Sequence, residues 1–245
     1  MTAEEHRLSP AYRPLYLQIR EALTQRLASG DWPPGVLLPS ETALAQEYGV
    51  SQGTIRKALD AMAAERLVVR HQGRGTEVAR HTNERSLFQF FHIYGDDDER
   101  RLPTSRVLEC SRGRARQDEA KELGLRAGAP VVRIFRVRDL SDRPAMTEWI
   151  TVSAELFPDL EHAGADLPNA IYELYQRDYR ITVQRAVERL YAVAADERDA
   201  ELLGIKIGTP LLHIRRTAFD LEHRPVELRI SRCLTTHQHY LNDLV

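Results

Sequence analysis

Apolar residues recur every four positions at Leu15, Ile19, Leu23 and Leu27, the spacing of an amphipathic helix. Pro14 stands near its start and Gly30 at its end. Trp32-Pro33-Pro34-Gly35 then forces a turn into two short helices, signalled back to back in LPSETALAQEYGVSQGTIRKAL, Leu38–Leu59. Ser40 can cap the first of these, Glu41 sits at the positive end of its dipole, and Leu44 and Tyr48 share a face. Gly49 can take the left-handed conformation that stops this helix, and Val50 turns inward. Ser51 caps the second helix, whose apolar stripe is Ile55, Leu59 and Met62. Helix, tight glycine turn and helix predict a helix-turn-helix. Leu67–Arg70 reads as a strand, His71–Gly75 as a glycine-rich tip and Thr76–Val78 as the returning strand, which makes a wing.

The outward side of the second helix carries the chemistry. Gln52, Gly53, Thr54, Arg56 and Lys57 crowd its N-terminal half, where a recognition helix meets base edges and phosphates. Gln52 suits adenine, Gly53 permits close backbone approach, and Arg56 and Lys57 suit phosphate or guanine. On the helices alone, an ordinary helical hairpin with a solvated polar face fits equally well. The wing shifts the balance, because Arg74 between Gly73 and Gly75 can reach phosphates or the minor groove.

Past residue 80 the pattern changes. Arg80–Arg85 is polar and reads as a linker, and Phe88, Phe90 and Phe91 begin a second core or a dimer seam. The second half is internally duplicated. ELGLRAGAPVVRIFR at Glu122–Arg136 matches LLGIKIGTPLLHIRR at Leu202–Arg216 with a constant offset of 80, and DLSDRP at Asp139–Pro144 matches DLEHRP at Asp220–Pro225 after one inserted residue. An alternating strand (Ser105–Ala115, Ile181–Ala195) and a short acidic-capped helix precede each copy. Two such halves predict one mainly antiparallel sheet with pseudo-twofold symmetry and helices on one face, an α+β fold. Asn169–Tyr179 between them reads as a helix carrying Ile171, Tyr172 and Tyr175. A cleft between related halves is a natural place for a small molecule.

A chain of 245 residues suits two domains. It has no long apolar run, and its N-terminal MTAEEHRLS is acidic and polar, so neither a membrane span nor a signal peptide is expected. Cys110 and Cys233 lack metal-ligand spacing, and reduced thiols in the cytoplasm are the expectation. Gly95-Asp96-Asp97-Asp98-Glu99 lacks the alternating spacing of a calcium loop and reads as a solvated turn. No metal and no cofactor is implied. The net charge of −2 argues against indiscriminate nucleic-acid binding. Residues 51–80 nevertheless place Arg56, Lys57, Arg66, Arg70, Arg74 and Arg80 against Asp60, Glu65 and Glu77, the local basic footprint of a salt-sensitive DNA reader.

Three blocks, PLYLQIREAL, SGDWPPGVLLPSETALAQEYGVSQGTIRKAL and RHQGRGTEVA, agree in order and spacing with one family. Over about residues 10–79 the chain resembles the winged helix of GntR-family bacterial transcription regulators. The resemblance implies a DNA-binding domain at 10–79, a linker at 80–89 and a further domain at 90–245. The DNA-facing set is then Ser40, Thr42, Ser51, Gln52, Gly53, Thr54, Arg56 and Lys57, with His71, Gln72, Gly73, Arg74, Gly75 and Thr76 from the wing. Family members commonly carry arginine at the positions of Thr42 and Gln52, so DNA binding is implied without the usual operator half-site.

Residues 90–242, through the duplication and the stretches RVRDLSDRPAMTE and HRPVEL, resemble the UTRA effector-sensing domain of the HutC-type branch of that family, whose fold is chorismate-lyase-like. There the effector sits between the halves, and the positions matching its contacts are Arg136, Arg138, Glu148, Glu227 and Tyr172. Arg136 and Arg138 alternate onto one strand face, where paired guanidiniums suit a carboxylate or phosphate. The glutamates suit amine or hydroxyl groups, or else form structural ion pairs with the arginines. Ala170 replaces a serine that holds the phosphate in sugar-phosphate sensors, Trp149 replaces smaller residues, and LTTHQHYL at Leu234–Leu241 replaces an arginine-glycine-aspartate-arginine-tyrosine pattern. Neither a sugar phosphate nor urocanate is therefore implied.

The expected function is a transcriptional regulator, a repressor by the habit of the family. It is expected to be a cytoplasmic homodimer on an inverted-repeat operator in double-stranded DNA, with its affinity modulated by a small anionic effector. A chorismate-lyase-like enzyme fused to a DNA-binding module is the alternative, but fold alone warrants little and no catalytic set announces itself among His213, His223, His237 and His239. An adaptor whose second domain only dimerises is a third reading.

Overall fold

Residues 13–82, 89–95 and 101–243 are described by a computed structural model. They fall into two units, Met1–Ala79 and Arg80–Val245, each described here by itself. The polar N-terminus, Asn83–Arg85, Phe88 and the acidic turn Asp96–Glu99 lie outside the described residues.

In the first unit local signals set most helix boundaries. Helix α1 (Leu15–Ser29) ends at Gly30, with φ of 83°. Ile19 and Leu23 are buried and Leu27 is half-buried, whereas Leu15 is exposed at the first helical position, one turn beyond the packed part of the stripe. Helix α2 (Glu41–Tyr48) is capped by Ser40, whose Oγ accepts the Ala43 N–H at 3.2 Å, and ends at Gly49 with φ of 64°. Helix α3 (Gln52–Ala64) is capped by Ser51, which accepts the Thr54 N–H at 3.2 Å. Such caps contribute about 1 kcal/mol each. Ile55, Ala58, Leu59 and Met62 of α3 are buried, and α1 and α2 both pack on α3.

Strands β1 (Val68–His71) and β2 (Gly75–Val78) pair antiparallel as the wing. The turn after Trp32 leads first into an extended stretch beside β2: the Leu38 N–H donates to the Thr76 carbonyl at 2.8 Å and the Val78 N–H to the Val36 carbonyl at 2.9 Å.

The second unit is built on a six-stranded antiparallel sheet in the order β4-β5-β6-β9-β8-β7. The strands are β4 (Thr104–Arg114), β5 (Pro130–Leu140), β6 (Arg143–Ser153), β7 (Val183–Ala194), β8 (Pro210–Asp220) and β9 (Pro225–Leu234). The pseudo-twofold relates β4-β5-β6 to β7-β8-β9 and passes between β6 and β9. A small pair, β3 (Ile93–Gly95) with β10 (Gln238–Tyr240), lies apart from the sheet.

Helices on one face were expected, and the sheet is covered on both. On one face lie the short helices α4 (Gln117–Leu123) and α6 (Glu197–Leu203). The other face carries α5 (Ile171–Tyr179) and the 3-10 segment Leu160–Asp166, which pack on Val132, Ile134, Ile150 and Val152. The reason is visible in β5, where residues of both parities from Phe135 to Arg138 are buried, as strands covered on both sides require.

The two halves interlock. Thr147 of β6 donates to Asp199 of α6 at 2.8 Å, and Thr217 of β8 donates to Glu122 of α4 at 2.9 Å. Each short helix therefore packs over a strand of the opposite half.

Phe157 is fully buried, with its ring 4.4 Å from that of Tyr175 and 5.1 Å from that of Tyr179. Phe157→Ala is expected to destabilise the second unit by about 3–5 kcal/mol, read as a lower urea midpoint for that unit's transition.

Candidate functional site

Most of the set expected to face DNA gathers on α3 and the wing, with Ser40 and Thr42 at the start of α2. Gln52, Gly53, Arg56 and Lys57 are exposed on α3, and Gln72, Gly73, Arg74 and Gly75 are exposed at the wing tip. A Cβ on Gly53 would meet only the Ser51 hydroxyl, at 3.8 Å; the fold does not require glycine there, and the open side is free for a close partner. Ser40 and Ser51 spend their hydroxyls on the caps, and Thr54 is half-buried with its hydroxyl 2.9 Å from that of Ser51. Thr42 is exposed near the start of α2, and His71 lies 3.3 Å from Glu77. Thr76 departs from the expectation: it is buried, because the parity of β2 turns its side chain inward.

In the second unit, cross-strand register brings chemistry from five strands onto one face. Arg136 of β5 stands opposite Glu148 of β6, and Glu148 stands opposite Ser231 of β9. Arg229 of β9 stands opposite Arg216 of β8, and Arg216 opposite Glu188 of β7. All of these but Glu188, together with Arg138, border a cleft open in part to solvent, whose other walls include Phe90, Phe91, Asn169, Tyr172 and Tyr240.

Most of these charges are paired. Arg136 Nε donates to Glu148 Oε2 at 2.5 Å, and the Ser231 hydroxyl donates to Glu148 Oε1 at 3.0 Å. Arg216 meets Glu188 at 2.5 Å and Arg229 meets Glu227 at 2.8 Å. Burial pushes the Glu148 carboxyl up, but the Arg136, Arg229 and Arg138 charges outweigh it and hold it far below the usual carboxylate range.

Arg138 is held less closely, its Nη2 donating to Asn169 Oδ1 at 3.4 Å. Its side chain is 8% exposed, its nearest carboxylate oxygen, on Glu148, lies 3.7 Å away, and its Nε has no hydrogen-bond partner among the described residues. Burial, reinforced by the neighbouring Arg136 charge, pushes its pKa down to about 9, so its surroundings do not fully neutralise this cation.

Glu227 does not line the cleft. It is fully buried and accepts from the Tyr172 hydroxyl at 2.9 Å, the Tyr175 hydroxyl at 3.0 Å and the Arg229 fork. With its oxygens so occupied it holds Tyr172 and Arg229 in place instead of facing a ligand. Burial first, then the Glu227 charge, raises the Tyr172 hydroxyl to about 12 and keeps it a donor. The reading of the sequence missed Arg216, Arg229, Asn169 and Ser231. Arg216 carried a signal, since it is the duplicated counterpart of Arg136.

Two families match the chain: "Bacterial regulatory proteins, gntR family" over residues 15–78 and the UTRA domain over residues 98–239. The chain belongs to the GntR family, with a UTRA domain. It is 31% identical to the HTH-type transcriptional repressor NagR of Bacillus subtilis, over 94% of this chain and 96% of that protein. It is 29% identical to the HTH-type transcriptional regulator GgaR of Escherichia coli, over 90% and 87%. Among solved structures, the ligand-binding domain described for a GntR-family regulator of Bordetella bronchiseptica matches with a TM-score of 0.60 at 34% identity, covering 64% of this chain and 98% of that one. PhnF of Mycobacterium smegmatis matches with a TM-score of 0.55 at 23% identity, covering 92% and 98%, a likeness of fold. This GntR-family protein is thus a ligand-modulated, DNA-binding transcriptional regulator and not an enzyme. Among the described residues, no helix is long and apolar enough to cross a membrane.

The Glu148 pair sets a pH dependence. A carboxyl whose folded pKa is depressed contributes stability that is complete above its ordinary value of 4.5 and is lost as pH falls below it. Glu148→Gln, which strands Arg136, is expected to cost about 3–5 kcal/mol at neutral pH. It should also flatten the fall in urea midpoint below pH 4.5, measured beside the wild type.

Proposed function

We propose that this regulator is a cytoplasmic homodimer of the HutC-type branch that represses from an inverted-repeat operator. It releases DNA when a small anion, carrying a carboxylate or a phosphate, enters the cleft of the second unit. The observation that carries this reading is Arg138: a buried guanidinium whose nearest carboxylate oxygen among the described residues, on Glu148, lies 3.7 Å away, and whose Nε has no hydrogen-bond partner among them. A planar carboxylate or a phosphate oxygen pair is the complement of such a fork. Phe90, Phe91 and Tyr172 beside it suit an apolar or ring-bearing body. The exposed Arg56, Lys57 and Gln52 on α3, with Arg74 on the wing, support the reading of the first unit as the surface that meets DNA. Repression is supported by the name of the relative NagR. Effector and DNA affinities are then reciprocally coupled.

The test selects random duplexes with the ligand-free protein and then screens carboxylates and phosphates for release, read by fluorescence anisotropy. Enrichment of one inverted repeat and saturable release by an anion are expected; release by neutral compounds alone would overturn the effector chemistry. Arg138→Met should abolish release, yet raise the thermal midpoint of the second unit by removing an uncompensated buried cation, a gain of about 1 kcal/mol or more. Arg74→Ala should weaken operator and random DNA alike and lower the salt slope by about one.

A further inference from the structure

Glu41 opens α2 on the DNA-facing side of the first unit, and its carboxylate gathers donors from two other elements. Oε2 accepts from Arg56 Nε at 3.1 Å, Arg56 Nη2 at 2.9 Å and Gln52 Nε2 at 3.4 Å, all from α3. Oε1 accepts from Arg70 Nη2 of β1, whose Nη1 pairs with Asp60 of α3. The Glu41 side chain is only 16% exposed, against 58% for Arg56. The acid is thus recessed beneath the cations it holds. Burial pushes the carboxyl up, but the Arg56 hydrogen bond and the Arg56 and Arg70 charges outweigh it, so Glu41 stays ionised at neutral pH.

The arrangement does more than a dipole partner at a helix start would require. The charge of Glu41 favours the N-terminal end of α2 wherever the side chain points, but here it ties the recognition helix to the wing through two guanidiniums. A cation free to sweep its rotamers can meet the phosphates of any duplex. One clamped through Nε and Nη2 presents a single geometry, with Nη1 left outside that bond. Sequence discrimination depends on such fixed geometry, whereas affinity for DNA in general depends on available charge.

We infer that Glu41 is a specificity-determining positioning residue: by clamping Arg56, Gln52 and Arg70 it fixes the recognition helix and wing in one register, favouring the operator over duplex in general. This rests on the reading of α3 and the wing as the DNA-contacting surface.

The experiment compares full-length wild type, Glu41→Gln, Arg70→Gln and Arg56→Ala. Each binds two duplexes of equal length, the inverted repeat enriched by the wild type and a random-sequence pool, across a salt series. In Glu41→Gln the freed cations should tighten binding to the random pool and steepen its salt slope by about one to two. Operator affinity should not rise with it, so the operator-to-random ratio falls about tenfold or more. Arg70→Gln, which cuts the strut from the wing side and keeps the acid, should also lower the ratio. A merely structural role would move the thermal midpoint and leave ratio and slope at wild-type values; that result in both variants overturns the inference. If Arg56→Ala leaves both affinities and the slope unchanged, the surface itself has been misread and the inference falls with it. Weaker operator binding by Arg56→Ala beside an unchanged Glu41→Gln ratio would overturn the role of Glu41 alone.

Discussion

The Arg136–Glu148 ion pair is the interaction around which the second unit is arranged. It lies in the sheet interior, at 2.5 Å, with both side chains 2% exposed. Buried charges of this kind are costly unless their geometry is satisfied, and here satisfaction spreads outward. Glu148 takes the Ser231 hydroxyl on its other oxygen and lies within 3.6 Å of Arg229. Arg229 is in turn held by Glu227, and Glu227 by two tyrosines of α5. The helix that covers the cleft is thus positioned by the same network that makes the cleft positive. Removing one member does not delete a contact; it leaves the remaining charges without the partners that made their burial tolerable.

The first unit follows the opposite strategy. Its helices are set by local signals, two serine caps, glycine stops and an apolar stripe on α3, and its cations on α3 and the wing tip are kept at the surface. That division suits the two tasks. A surface that meets a polyanion needs cations exposed to solvent, whereas the anion site proposed for the second unit needs one withheld from it, since burial strengthens an electrostatic contact that water would screen.

What could be read from the chain follows the same division. Ser40, Gly49, Ser51 and the Ile55–Met62 stripe act within a few residues of themselves, so their roles were legible. The duplication exposed the strand order of each half because its two copies could be compared. Thr76 was misplaced because its facing depends on the pairing of β2 with residues 35–38, a register that composition does not fix. The two-faced cover of the sheet was missed because the helix at Asn169–Tyr179 was placed between the halves without a face, and the Leu160–Asp166 segment carries no periodic signal of its own. Glu227 looked like a ligand contact for the same reason: the hydroxyls that satisfy it arrive from positions 172 and 175, far away in sequence.

The crossed helices have a bearing on ancestry. Because α4 bonds to β8 and α6 to β6, a single copy of the repeat would leave its short helix without a floor and could complete its fold only by pairing with a second copy. The duplicated chain preserves that pairing within one molecule, and its two copies have since diverged. The pair Arg136–Glu148 in one half has become Arg216–Arg229 in the other, and the position of Arg138 is taken by Ala218. The partly unneutralised cation stands where the copies no longer agree, so it is the break in an inherited symmetry that gives the cleft a direction.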